Sequence, residues 1–62
     1  MKVREIIKLI EKNGWYMVRH KGTNHRVFHH STRKGIVIVS GNLGDEVPKG
    51  TLSAIKRQAG LK

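Results

Sequence analysis

The first part of the chain places apolar side chains on one face of a helix. The i, i+3, i+4, i+7 spacing of such a face is met by Val3, Ile6, Ile7 and Ile10. Asn13 and Gly14 follow, a pair that tolerates the left-handed backbone conformation in which many helices end. This pattern predicts an amphipathic helix over residues 2–13.

The middle of the chain has the pattern of three strands joined by short turns. Residues 15–20 and 25–30 are rich in aromatic and β-branched side chains, and the link 21–24 between them contains a glycine. Residues 36–39 are β-branched throughout and follow a second glycine-containing turn. Because every connection is short, the pattern predicts a three-stranded antiparallel sheet with the third strand at an edge.

The last part of the chain predicts a second helix over residues 50–59. Its apolar stripe is formed by Leu52, Ile55 and Ala59. Gly60 is suited to end this helix, with Leu61 folding back onto it. The element order α-β-β-β-α predicts an α+β two-layer sandwich, with both helices on one face of the sheet, in a single domain of residues 1–62. The double-stranded RNA-binding fold has the same order of elements, although a fold alone does not fix a function.

The charge of the chain is strongly positive. Thirteen Lys and Arg residues stand against four Asp and Glu, which gives a formal net charge of +9, and the basic residues are spread over the whole sequence. This composition predicts a polyanionic partner, either a nucleic acid or an acidic protein surface. The alternative is a well-solvated surface that binds no ligand.

The absence of cysteine narrows the chemistry further. It excludes disulfides, cysteine-based zinc sites and thiol nucleophiles. No segment approaches the ~20 apolar residues of a membrane span, and the first residues have the pattern of a helix start rather than of a targeting segment. We therefore expect a cytoplasmic protein with no membrane partner.

His25 is the strongest candidate for a reactive group. Strand alternation puts His25 on the face opposite Phe28, and Phe28 is expected to face the helices, so the imidazole points to solvent. An imidazole accepts or donates a proton near neutral pH, and next to a bound polyanion it suits RNA cleavage. In that reaction a base takes the proton of the 2′-OH, which then attacks the adjacent phosphorus. The alternative is an ordinary surface histidine.

The residues around the predicted hairpin turn complete the candidate site. Gly22 permits a positive φ or a close approach of phosphate to the backbone, and Thr23 and Asn24 offer polar groups to a phosphate or to the turn itself. The flanking cations, which either stabilise charge on phosphorus or only attract RNA, are Arg19, Lys21 and Arg26.

Other polar and aromatic residues favour structural roles. A metal site built from His20, His29 and His30 is a weak signal, because no carboxylate or cysteine accompanies them and adjacent strand residues point to opposite faces, so we expect no metal and no cofactor. The position of Asp45-Glu46 between a loop and a helix indicates an interaction with the helix dipole or hydrogen bonds within the loop, rather than a magnesium site. Of Trp15 and Tyr16, which offer stacking surfaces for bases, only one can face outward, and Trp15 is expected to pack in the core.

The ordered set of these segments resembles the HicA toxins, small bacterial mRNA interferases of type II toxin–antitoxin modules. The segments that carry the likeness are residues 11–15, 18–25, 30, 35–39, 44–52 and 55–61. Within them, Gly22-Thr23-Asn24-His25 is similar to the family signature Gly-Ser-(Asn/His)-His. Thr23 stands where serine is usual and keeps the hydroxyl, and Asn24 stands where many members have a first histidine.

The resemblance implies a function. It implies a fold like the double-stranded RNA-binding domain, ribosome-independent cleavage of mRNA that depends on His25, and a HicB-type antitoxin that covers the active face. It leaves the second proton-transfer group unassigned, with His29 and Lys21 as the candidates. The other hypotheses are a non-catalytic RNA-binding module of the same fold and a small basic DNA-associated protein.

Overall fold

The computed structural model describes residues 1–22 and 24–61, and Thr23 and Lys62 lie outside the described part. It contains two helices and three strands in the order α-β-β-β-α. Their bounds are α1 Val3–Lys12, β1 Trp15–Lys21, β2 His25–His30, β3 Val37–Ser40 and α2 Lys49–Gln58. The predicted α+β fold is therefore confirmed. Within the described residues, neither helix is long and apolar enough to cross a membrane.

The sheet is antiparallel with the strand order β1-β2-β3, so β2 is central and β3 is an edge strand as predicted. Both helices pack on one face of it, and the core between the two layers draws a side chain from every element. The buried apolar residues of this core are Val3, Ile6, Ile10, Trp15, Phe28, Val37, Val39, Val47, Ile55 and Ala59. The other face of the sheet is covered by neither helix.

The alternation of β2 sets which face each side chain occupies. Phe28 is fully buried against the helices, whereas His25 and His29 are exposed and Val27 is half-buried. A strand side chain alternates between faces with period 2, so the residue types alone fix this assignment once the large aromatic ring is placed inside. The prediction that His25 faces solvent is confirmed.

Both helices end at glycine. Gly14 has φ +95° after α1, and Gly60 has φ +77° after α2, a conformation that costs an L side chain energy but is free for glycine. After α2 the Leu61 amide donates to the Lys56 carbonyl (2.7 Å) and the Gly60 amide to that of Arg57 (3.1 Å), which is the Schellman arrangement. The predicted helix ends are therefore confirmed to within one residue.

The loop before α2 provides hydrogen-bond acceptors for the first backbone amides of α1. The Val3 amide donates to the Asp45 carbonyl (2.9 Å) and the Arg4 amide to the Leu43 carbonyl (3.1 Å), so two donors that a helix start leaves unpaired find acceptors. The Asp45 carboxylate accepts from the Asn42 amide (3.0 Å), and Glu46 pairs with the terminal amino group (3.1 Å). The loop-bonding interpretation of this acidic pair is confirmed.

Candidate active site

The uncovered face of the sheet is organised in rows across the three strands. His25 on the central strand lies directly opposite Lys21 on β1 and opposite Ser40 on β3. Side chains that face each other across antiparallel strands have Cβ atoms about 4.5–5.5 Å apart. His25 therefore has an ammonium group on one side and a hydroxyl group on the other, and all three residues are exposed.

The second row lies two residues further along β2. Its members are Arg19 on β1, Val27 on β2 and Ile38 on β3. Two residues along a strand advance roughly 7 Å, so this row is the immediate neighbour of the first. It is aliphatic in the centre and at the β3 edge, and cationic at the β1 edge.

A β-bulge at Val18 brings the two β1 cations to this face. Met17 pairs with Phe28 and Arg19 with Val27, so Val18 is an extra residue in β1 that has no partner in β2. Simple alternation from the buried Trp15 would turn Arg19 toward the helices. The bulge shifts the alternation by one residue, so that Arg19 and Lys21 point to the open face with His25.

A cavity of about 540 Å³ opens between these rows. Its apolar lining comes from Val18, Val27, Ile36 and Ile38. Its polar lining comes from Arg19, Lys21, His25 and His29. None of these four aliphatic residues was among the candidates drawn from the sequence. The run 36–39 did carry a signal, because every residue in it is apolar. A strand of this kind that buries one face in the core leaves apolar side chains exposed on the other face.

The hairpin turn between β1 and β2 depends on Gly22. Its φ is +60°, which is one of the two uses that the sequence left open. Apart from its two chain neighbours, no described residue has an atom within 4 Å of the position that a Cβ would take. The neighbouring Asn24 is half-buried, and its carbonyl accepts from the Gly41 amide (2.9 Å). The proposed phosphate contact of Thr23 lies outside the described residues.

Replacing Gly22 with alanine should lower the melting temperature by about 5 °C. The added methyl group meets open space, so the whole effect comes from the left-handed backbone conformation, which costs an L residue about 1 kcal/mol. Gly44→Ala is the matched control, because Gly44 also has open space around it but no positive φ. Equal melting temperatures for the two variants, measured by circular dichroism, would refute the requirement for glycine.

Arg26 does not join the site. It was a candidate for substrate binding, but it lies on the Phe28 face of β2 and is only 9% exposed. Its guanidinium donates to the Gly41 carbonyl (2.9 Å), and a buried cation needs such a partner. Since Gly41 also donates to Asn24, Arg26 ties the hairpin turn to the loop after β3 rather than reaching a ligand on the open face.

His30 is a structural residue. Its Nδ1 accepts from the amides of Thr32 (3.1 Å) and Arg33 (3.2 Å), which leaves Nε2 to donate to the Asn13 carbonyl (2.8 Å). Its ring meets the edge of Trp15 with centroids 5.2 Å apart. These contacts hold the turn after β2 against the end of α1, a role that the sequence did not reveal.

Trp15, Tyr16 and the neighbouring pair His29 and His30 were the remaining candidates for stacking and for metal binding. Trp15 is buried and its indole donates to the Ala59 carbonyl (3.2 Å), while Tyr16 is exposed, so the packing interpretation of Trp15 is confirmed. His29 and His30 point to opposite faces. Within residues 1–22 and 24–61, no three side chains of His, Cys, Asp or Glu are grouped so that they could hold a metal ion.

Comparison with known proteins identifies the family. No curated protein matches the sequence. The family described as the HicA toxin of bacterial toxin–antitoxin systems matches residues 3–61, which is nearly the whole chain and includes the open face with its two rows. The chain therefore belongs to the HicA toxin family, and it is the toxin of a toxin–antitoxin module with a cognate antitoxin as its partner.

Proposed function

We propose that this toxin is an endoribonuclease that cleaves mRNA without a metal ion, with His25 as its general acid/base residue, which acts as the base in the cleavage step. The observation that carries the proposal is the exposed row of Lys21, His25 and Ser40 on the uncovered, basic face of the sheet. Membership of the HicA toxin family supports the same function. The net charge of +9 supports a polyanionic substrate.

The reaction needs only proton carriers and the RNA itself. The neutral His25 imidazole accepts the proton of a ribose 2′-OH, and O2′ forms a bond to the adjacent phosphorus. The bond from phosphorus to O5′ breaks, and the departing oxygen takes a proton from a second donor. The products are a 2′,3′-cyclic phosphate and a free 5′-OH, so neither a metal ion nor a water nucleophile takes part in bond formation.

Lys21 is the better candidate for the second group. It lies directly across from His25, whereas His29 is four residues further along the same strand, or about 13 Å away. Two groups that serve one phosphorus must both come within hydrogen-bond reach of its oxygens. We assign Lys21 to the developing charge and the departing oxygen, and His29 and Arg19 to flanking parts of the RNA.

The hairpin turn next to His25 is suited to hold a phosphate. The open space at the Cβ position of Gly22 allows a phosphate to approach the backbone closely. The next two residues in the sequence, Thr23 and Asn24, carry a hydroxyl and an amide. We propose that these three residues position the cleaved phosphate, while His25 and Lys21 perform the proton transfers.

The antitoxin is proposed to be a HicB-type protein that covers this same face. Neither helix of the toxin shields the face, and its half-exposed aliphatic side chains and cationic rim suit an acidic protein surface with an apolar centre. An antitoxin bound here excludes RNA from His25, which accounts for neutralisation by simple occlusion.

Replacing Lys21 with alanine should slow RNA cleavage about 10²-fold or more, as expected for the loss of a general acid, and reduce the salt dependence of RNA binding. One phosphate contact on single-stranded RNA contributes about 0.7 to the slope of log K against log salt, so the slope should fall by that amount. Lys8→Ala is the matched control, because Lys8 is also exposed but lies on α1 in the helix layer. Indistinguishable rates and slopes for the two variants would remove Lys21 from the mechanism.

The proposed activity is tested with two substrates of one sequence in EDTA. The toxin should cut the RNA and only bind its 2′-O-methyl form, since that form lacks the attacking hydroxyl. Binding of both without cleavage of either would indicate the alternative, a non-catalytic RNA-binding module of the same fold. Cleavage that requires an added divalent cation would contradict the proposed chemistry.

A further inference from the structure

The apolar side chains on the open face form a concave patch beside the proposed catalytic row. Val18, Ile36 and Ile38 are 47%, 46% and 45% exposed, and together with Val27 they line the 540 Å³ cavity. Scattered exposed aliphatic side chains are ordinary, but a contiguous group that lines a cavity marks a binding site. The volume lies within the range of about 300–1,000 Å³ that is typical of small-ligand pockets.

The position of this patch relative to His25 indicates which part of an RNA would occupy it. The row of Arg19, Val27 and Ile38 is roughly 7 Å from the row that contains His25. In RNA, a ribose separates each phosphate from its base, so a phosphate held at His25 brings a neighbouring base over the second row. A nucleobase rather than a phosphate therefore contacts the aliphatic side chains of Val27 and Ile38.

The chemistry of the second row suits the flat face of a base. Val27 and Ile38 offer an apolar surface, and Arg19 at the β1 edge carries a planar guanidinium, a group that stacks on unpaired bases of single-stranded RNA. A second copy of this chain is a poor occupant, because each copy carries a net charge of +9 and would bring that charge against its like.

We propose that Arg19, Val27 and Ile38 form a nucleobase pocket, which holds the base adjoining the cleaved phosphate by stacking. The inference rests on the proposed function to the extent that RNA is the ligand of this face. The pocket positions the ribose so that its 2′-OH faces His25. Because it contacts the face of the base and not its edges, it accepts all four bases with a modest preference set by stacking strength.

The experiment compares two oligonucleotides with identical phosphates. One is a short single-stranded RNA, and the other carries abasic ribose spacers in place of its nucleotides. Affinities are measured in the His25→Ala background, so that no substrate is consumed. Arg19→Lys and Ile38→Thr are introduced there, and neither changes the net charge. We expect each to weaken binding of the intact RNA about fivefold or more, and to change binding of the abasic oligonucleotide less than about twofold.

Leu43→Ala provides the control, because Leu43 is 48% exposed and lies outside the cavity lining. It should leave both affinities unchanged. Ile38→Thr keeps a β-branched residue in the edge strand, and a thermal melt of each variant verifies that the fold is retained. The proposal of a nucleobase pocket would be overturned if the variants weakened the binding of both oligonucleotides equally, or weakened the binding of neither.

Two further outcomes distinguish failure of the nucleobase pocket from failure of the proposed catalytic function. If the parent toxin fails to cut RNA but the base-dependent loss of affinity is observed, the pocket stands and the catalytic proposal falls. If the parent cuts RNA while Arg19→Lys and Ile38→Thr weaken only the antitoxin complex, the patch is a protein-docking surface and the nucleobase pocket is refuted.

Discussion

Replacing His25 with alanine is expected to lower the rate of RNA cleavage by about 10²–10⁴-fold and to leave RNA affinity within about twofold. A positioned general acid or base contributes a factor of this size to a proton-transfer step. Binding is expected to persist, since the cations that attract the phosphates, Arg19 and Lys21, remain on the same face. The measurement is a single-turnover time course on a labelled RNA, with affinity determined separately.

His29→Ala is the matched control for that variant. His29 is an exposed histidine on the same strand and the same face, and it lies about 13 Å from His25. It should slow cleavage by about fivefold or less, in keeping with a contact to flanking RNA. Equal losses for the two variants would indicate that the face acts through its general charge, and a fully active His25→Ala variant would remove His25 from the chemistry.

Replacing Phe28 with alanine is expected to destabilise the fold by about 3–5 kcal/mol. Phe28 is fully buried in the middle of the central strand, and truncation of a buried phenylalanine loses its transfer free energy and leaves a cavity. A chain of 62 residues buries only a small core, and its sequence contains no cysteine, so no disulfide compensates. We therefore expect the isolated variant to be largely unfolded near 37 °C, as followed by circular dichroism and urea titration.

Tyr16→Ala serves as the comparison for the stability measurement. Tyr16 is an aromatic residue in the neighbouring strand, but its side chain is 49% exposed. Its replacement should change the free energy of unfolding by about 1 kcal/mol or less. A Phe28→Ala variant whose unfolding midpoint matches that of Tyr16→Ala would contradict the packing described for the core.

Much of the fold follows from local sequence patterns. The helical spacing of the first apolar residues, the β-branched strands and the glycines at positions 14 and 60 fixed α1, the sheet and both helix ends to within about one residue. Phe28 determined which face of β2 points to the helices, because such a large apolar side chain is favourable only in the core. These features are local, so a pattern of a few residues is enough to specify them.

The site was harder to predict because it depends on the pairing of strands. The bulge at Val18 has no local sequence signal, yet it decides that Arg19 and Lys21 share a face with His25. The selection of Arg26 by charge failed although alternation already put it on the same face of β2 as Phe28. Its acceptor, the part-buried Gly41 carbonyl, lies fifteen residues away in the sequence.

The row of Ser40, His25 and Lys21 shows the same dependence on long-range pairing. Ser40 lies opposite His25 because of the β2–β3 register, and this register cannot be predicted from either strand alone. Ser40 was therefore absent from the candidates. The sequence left Lys21 and His29 as alternatives for the second proton-transfer group, and our preference for Lys21 rests on the β1–β2 register, which puts Lys21 opposite His25.

The most direct test of the proposed chemistry is the identity of the fragment ends after digestion of a defined RNA in EDTA. The mechanism predicts a 2′,3′-cyclic phosphate on one fragment and a 5′-hydroxyl on the other. Mass spectrometry identifies both ends, and the His25→Ala variant should form neither. Fragments that end in a 3′-hydroxyl and a 5′-phosphate would show attack by water on phosphorus, and that result would contradict the account.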